Sequence, residues 1–364
     1  MNSTQRLWAL GQSVWYDNIQ RSLLRNGEMA GMIAREEIRG VTSNPSIFMN
    51  AIAKSSDYNE SLKPLGDPAL SAEEVFFRLA IEDIQEAADL FLPLYQSSGG
   101  ADGYVSLEVS PFLADKSAET LAQVEALWGR VKRPNLMIKI PATKAGLPAI
   151  LAATAAGIPV NVTLIFSRER YGEVMEAYLS GLEQRAQAGL PLEGTASVAS
   201  FFISRVDSHI DPRLHTIGSA EALALAGKAA IANARLAYAQ FLQVFGSGRF
   251  ARLEALGARK QRPLWASTST KNPAYRDVLY VEELIGADTV NTMPPQTLAA
   301  FLDHGQVRES ITEDLEEARI LFDRLEALGI SMPQVTAQLE VEGVQAFADA
   351  FSVLLNVLEK RRKA

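Results

Sequence analysis

Short apolar runs alternate along this chain with longer segments whose apolar residues recur every three to four positions. The runs fall at 13–17 (SVWYD), 39–43 (RGVTS), 103–109 (GYVSLEV), 135–140 (NLMIKI), 159–164 (PVNVTL), 195–201 (TASVASF), 263–268 (PLWAST) and 288–292 (DTVNT). Their length and their β-branched and aromatic content predict strands. The intervening segments, among them 71–95, 117–132, 168–188, 221–245 and 275–285, predict helices. Strand–helix alternation implies βαβ units and a parallel sheet. Eight such units predict an α/β fold, a (β/α)8 TIM barrel with additional helices. The alternative is a doubly wound open sheet. No Gly-x-Gly-x-x-Gly turn follows any strand, which weakens its dinucleotide-binding form.

Two stretches, 46–95 and 204–262, exceed the usual barrel spacing, and 306–362 holds two helical patterns split near 329–333. No Pro/Gly/Ser linker of domain-separating length occurs. Residues 1–364 therefore read as one catalytic barrel domain with helical insertions and C-terminal helices. The stripes in 221–245 and 334–358 read as packing faces.

Polar residues interrupt the strands near their C-terminal ends. Asp17 ends the first, and Thr42 and Asn44 share a face of the second. Tyr104, Ser106 and Glu108 share a face of the third; Lys139 lies in the fourth, and Asn161 and Thr163 in the fifth. Ser200, then Ser267 and Ser269, then Asn291 mark the last three. In a barrel such ends meet at one mouth, where active sites lie. Lys139 is the sharpest signal, because it sits within Asn135-Leu136-Met137-Ile138-Lys139-Ile140-Pro141. Burying an ammonium is costly unless it is paired, and a desolvated lysine amine can attack a carbonyl to form a Schiff base. A salt-bridged or snorkelling lysine is the alternative. If the strands close, Asp17 and Glu108 converge on Lys139 and supply acid–base groups; the alternative is a buried ion-pair layer.

Beyond the strands, Arg205 is either a phosphate clamp or a surface arginine at a helix start. Lys271 is either a phosphate-binding or a solvated loop lysine. Phe201 and Phe202, being adjacent, point to opposite faces, so one belongs to the core and the other to the mouth.

Composition narrows the classes. The 364 residues carry 35 Lys plus Arg and 43 Asp plus Glu, a net charge of −8. Apart from the tail 360–363 there is no basic block, so nucleic-acid binding is not expected. No membrane span is expected from the apolar runs, and the N-terminus does not read as a secretion signal, so a cytoplasmic protein is expected. The chain has no cysteine, which removes disulfides, thiolate catalysis and cysteine-based zinc sites. His209, His215 and His304 form no metal-binding pattern. No metal and no cofactor are expected.

Taken in order, several motifs resemble those of the transaldolase family, longer bacterial branch. They are Val41-Thr42-Ser43-Asn44-Pro45-Ser46, Ser106-Leu107-Glu108-Val109, Leu136-Met137-Ile138-Lys139-Ile140-Pro141-Ala142-Thr143, Asn161-Val162-Thr163-Leu164-Ile165-Phe166-Ser167 and the element from Ser200 to Arg205. The resemblance implies that Lys139 is the Schiff-base lysine, Asp17 the acid–base at the cleaved carbon–carbon bond, and Glu108 a carboxylate acting through a water that Thr163 helps to place. It implies that Asn44, Asn161 and Ser200 bind substrate hydroxyls and that Arg205 binds phosphate; Thr42, Phe202 and Lys271 complete the substrate-facing set. Two departures stand out: Lys271 replaces an arginine, losing its bidentate fork, and Ser204 replaces a glycine.

The implied activity is transfer of a dihydroxyacetone unit between sedoheptulose 7-phosphate or fructose 6-phosphate and glyceraldehyde 3-phosphate or erythrose 4-phosphate, in the non-oxidative pentose phosphate pathway. The partners are sugar phosphates, and the protein is a monomer or a homodimer. A fructose-6-phosphate aldolase-like class I aldolase is the nearest rival; such relatives carry Gln and Tyr where this chain has Glu108 and Phe202. The other rival is a non-catalytic sugar-phosphate-binding barrel.

Overall fold

A computed structural model describes residues 1–67 and 69–363. Its strands are β1 (Gln12–Tyr16), β2 (Val105–Glu108), β3 (Leu136–Pro141), β4 (Val160–Ile165), β5 (Ser197–Phe202), β6 (Arg262–Ala266) and β7 (Thr289–Met293). They form one curled sheet in the order β1-β7-β6-β5-β4-β3-β2, and every neighbouring pair is parallel. Helices connect the strands, as parallel neighbours require. Almost every strand residue is buried, because helices cover the outer face and side chains fill the inner one.

The second expected strand, 39–43, is reduced to single bridges from Val41 to Tyr16 and to Val105. Gly40 explains the irregularity. A Cβ there would lie 2.7 Å from the indole of Trp15, so the backbone runs flush against that buried ring. The segment still bonds on both edges. Tyr16 N donates to Gly40 O and Thr42 N to Tyr16 O, while Val41 N donates to Tyr104 O and Ser106 N to Val41 O. It spans the gap between β1 and β2. At the N-terminal end of the sheet, buried Asp102 accepts from Ser13, Arg39 and Arg262, which ties β1, this segment and β6 together.

Two helical expectations need correction. The pattern over 221–245 forms two helices, Ala220–Leu223 and Ala229–Phe245. Gly227, at φ +72°, breaks the run, and its N–H donates to Asp211 Oδ1 while Ala230 N donates to Asp207 Oδ1. The pattern over 275–285 yields only Leu279–Glu282. Tyr275 donates to Asp211 Oδ2 (2.7 Å) and Tyr280 to Asp207 Oδ2 (2.8 Å). Residues five apart diverge on a helix, so one continuous helix would not turn both rings towards Asp207 and Asp211 on the single helix Ser204–Ile217.

The final helix, Met332–Lys363, packs on Pro45–Ala53 and Ala72–Ser97, with Phe351 edge-on to Phe76 at 5.1 Å. By length and composition alone its span Met332–Arg362 is apolar enough to cross a membrane, a test that a packed core helix also passes. Val335, Leu339, Phe347, Phe351, Leu354 and Leu358 on it are buried within the protein.

Candidate active site

Parallel register assembles the centre of the site. Lys139 on β3 stands opposite Glu108 on β2 and opposite Asn161 on β4. The Lys139 side chain is only 6% exposed. Its Nζ donates to Ser43 O at 3.0 Å, lies 3.3 Å from Glu108 Oε2, and sits 5.5 Å from the centre of the Phe347 ring. Glu108 is 4% exposed, and neither of its oxygens has a hydrogen-bond partner among the described residues. Burial raises its pKa to about 7, against the opposing pull of Lys139. A fully ionised carboxylate at neutral pH, as an unperturbed glutamate would be, is therefore not what this environment gives.

Asp17 follows the end of β1. Burial raises its pKa, while Lys139 and the hydrogen bond from Thr42 act in the opposite sense. Thr42 Oγ1 donates to Asp17 Oδ1 at 2.7 Å and lies 2.6 Å from Thr292 Oγ1. With its proton committed to Asp17, Thr42 must accept from Thr292. Asn44 caps the helix Pro45–Ala53, its Oδ1 accepting from Ile47 N. On the other side, Ser200 Oγ donates to Asn161 Oδ1 (2.7 Å) and Asn161 Nδ2 to Ser106 Oγ (3.0 Å), a buried relay across three strands.

Thr163 occupies an irregular stretch of β4. The β4–β5 register shifts between Val162 and Ile165, and Leu164 adopts φ +61°, an uncommon conformation for a γ-branched residue. Thr163 Oγ1 is buried, has no hydrogen-bond partner among the described residues, and faces the cavity.

That cavity measures about 360 Å³. Asp17, Thr42, Asn44, Lys139, Thr163, Ser200, Phe202, Arg205 and Lys271 all line it. Glu108 lies behind Lys139, outside the lining, and Asn161 stands behind Ser200. Phe202 faces the cavity, whereas Phe201 packs outward on Tyr171 and Trp265. At the rim, Arg205 lies over the Phe202 ring at 5.3 Å, and Glu342 exerts an opposing charge on it. Burial lowers the pKa of Arg205; partial burial, then the Arg205 charge, lowers that of Lys271. Lys271 Nζ donates to Ser269 Oγ at 2.7 Å. Ser204 begins the helix Ser204–Ile217, and its hydroxyl meets that of Ser267 at 2.9 Å. A serine in place of glycine is thus absorbed by a local hydrogen bond.

Sequence reasoning missed Ser46, Thr292, Gln296, Thr297 and Phe347, all of which line the cavity. On the last strand it singled out Asn291, but that side chain accepts from Thr268, and Thr292 is the residue that meets the cavity. Phe347 lay in a stripe that carries no sign of which apolar residues face the barrel mouth. Among the described residues no group of three or more His, Asp or Glu is placed to hold a metal ion.

The sequence profile described as transaldolase/fructose-6-phosphate aldolase matches residues 14–358. The chain is 51% identical over 356 residues to a protein of Parafrankia sp. named transaldolase, covering 98% of this chain and 96% of the relative. It is 50% identical over 361 residues to the transaldolase of Frankia alni, covering 99% and 97%. Against transaldolase 1 of Streptomyces coelicolor it is 51% identical over 357 residues, covering 98% and 94%.

Proposed function

Since the chain belongs to the transaldolase/fructose-6-phosphate aldolase family, we propose that Lys139 carries its chemistry at the cavity just described. The activity is that of a transaldolase, a transferase acting on sugar phosphates. In our reading Lys139 Nζ attacks the C2 carbonyl of a ketose phosphate, and the carbonyl oxygen leaves as water. Asp17 takes the C4 hydroxyl proton as the C3–C4 bond breaks. The three-carbon enamine stays on Lys139 until an aldose phosphate accepts it.

One observation carries the reading. Lys139 is a buried amine at an open cavity with two carboxylic acids of raised pKa near it. Glu108 at about 7 is suited to taking up and returning a proton near neutrality. Glu108 and Thr163 both keep unpartnered buried oxygens, which supports their sharing a water. Ser200, Asn44 and Thr42 offer hydrogen bonds to substrate hydroxyls, with Asn161 orienting Ser200. Arg205 and Lys271 meet the phosphate, Arg205 through its planar fork. Phe202 faces the cavity without a hydroxyl, which favours transfer over aldolase release.

The bonds that segment 39–42 makes on both edges support reading the sheet as an eight-stranded (β/α)8 barrel with that segment as its eighth member. The unbroken match over 14–358 supports one catalytic domain over 1–364. We take the protein to work in the cytoplasm, in the pentose phosphate pathway, as a monomer or homodimer, without nucleic acid or membrane.

Coupled detection of glyceraldehyde 3-phosphate tests the reading. Fructose 6-phosphate should turn over only when erythrose 4-phosphate is present. Sustained turnover without acceptor, with stoichiometric dihydroxyacetone, would assign an aldolase instead.

A further inference from the structure

We infer that Phe347, on the C-terminal helix, is a second specificity-determining residue, beside Phe202, that keeps water from the three-carbon enamine on Lys139. It thereby sets transfer against hydrolytic release. The inference rests on Lys139 being the Schiff-base residue.

Among the described residues, Phe347 is the one cavity-lining residue that comes from the helix Met332–Lys363. It is buried, and its ring centre lies 5.5 Å from Lys139 Nζ. That distance places the apolar ring beside the nitrogen on which the enamine forms. The helix is seated so as to deliver this ring. Gly343, Phe347 and Phe351 are spaced i, i+4, i+8 and so share one face. A Cβ on Gly343 would lie 3.1 Å from Leu164 Cδ2 and 3.2 Å from the Phe166 ring, so the glycine lets the helix settle on the irregular end of β4. On the far side Phe351 packs on Phe76 at 5.1 Å and on Phe112 at 5.4 Å. The middle residue of this line is aimed at the reacting nitrogen.

The chemistry makes such a roof consequential. Release without acceptor takes two steps. A proton first adds to the nucleophilic carbon of the enamine and gives an iminium. Water then adds at C2, and the carbinolamine expels the Lys139 amine and gives up a proton that came from the water, freeing dihydroxyacetone; the proton added first stays on carbon, and the net reaction is enamine plus water giving ketone plus amine. Both steps need water or a proton relay near Lys139. An apolar ring there supplies neither and occupies the space a relay would use. Phe202 packs at a tilt on Phe166 and under Arg205, towards the phosphate-binding rim, so the two aromatics guard different parts of the cavity.

The test is the ratio of free dihydroxyacetone to transferred product, with fructose 6-phosphate and a fixed concentration of erythrose 4-phosphate. Phe347→Ala should raise this ratio about tenfold, a barrier difference of ~1.4 kcal/mol, with little change in KM because Arg205 and Lys271 are intact. Phe347→Leu keeps an apolar side chain and should stay within about twofold of the parent, and it is the control for folding. If borohydride still traps a three-carbon adduct on Lys139 in Phe347→Ala and the ratio is unchanged, Phe347 is packing only and the inference fails alone. A parent protein that traps nothing on Lys139 would overturn the catalytic reading, and this inference with it.

Discussion

Lys139 Nζ lies 3.3 Å from Glu108 Oε2, yet neither oxygen of that carboxylate accepts a hydrogen bond from a described residue. The pair is close enough for each charge to feel the other, and Lys139 draws the Glu108 pKa down against the larger effect of burial. Such a group can exchange a proton, which a saturated structural ion pair does less readily.

Glu108 therefore sets a pH dependence. Its pKa is about 7, and the form that accepts a proton is the ionised one. The rate of Schiff-base formation should rise with pH through about 7 and level off above it. Glu108→Gln should remove that limb and lower kcat by roughly 10²-fold or more. Stopped-flow rates from pH 5.5 to 8.5 check this; an unchanged limb in the variant would assign it to another group.

Asp17 acts one step later. Asp17→Asn should leave Schiff-base formation in place and slow carbon–carbon cleavage by about 10²–10⁴-fold. Borohydride added to this variant with fructose 6-phosphate should trap the intact six-carbon phosphate. A three-carbon adduct formed at the parent rate would remove Asp17 from the cleavage step.

Arg205 should dominate phosphate binding, since its fork binds two oxygens where Lys271 offers a point charge. We expect Arg205→Ala to raise KM for fructose 6-phosphate much more than for fructose, and Lys271→Ala to do so to a smaller degree. Equal effects on the two sugars would make Arg205 structural.

Asp207 affects stability. Burial raises its pKa from 3.8 to about 7, although it accepts from Tyr280 OH and Ala230 N. Between about pH 4 and 7 the native protein holds a proton that the unfolded chain has lost. That contribution is fully present below about pH 4 and is lost as pH rises through about 7. Asp207→Asn should therefore gain on the parent in urea midpoint between pH 5 and pH 8, while Glu108 keeps part of the slope in both proteins. A constant difference across that range would contradict the assignment.

How much of this could be read from the sequence follows from periodicity. Every strand core was legible because buried parallel strands are short apolar runs, and a polar residue inside one, such as Lys139 or Asn161, stands out. The second strand was overestimated because nothing local reveals that Gly40 abuts Trp15. Tyr275 and Tyr280 carried an apparent helical pattern, but each is claimed by an aspartate on another helix. Phe347 was hidden for the opposite reason: it obeys the amphipathic rule, and only tertiary docking sets which apolar residue meets the cavity. The raised pKa of Glu108 is equally non-local, since it comes from burial behind Lys139.

The most direct test is borohydride reduction with fructose 6-phosphate, followed by peptide mapping. The account predicts one adduct, of three carbons once cleavage has occurred, on the peptide containing Lys139, and none in Lys139→Met, which should remain folded and inactive. An adduct on Lys144 or Lys271, or transferase activity surviving in Lys139→Met, would contradict it.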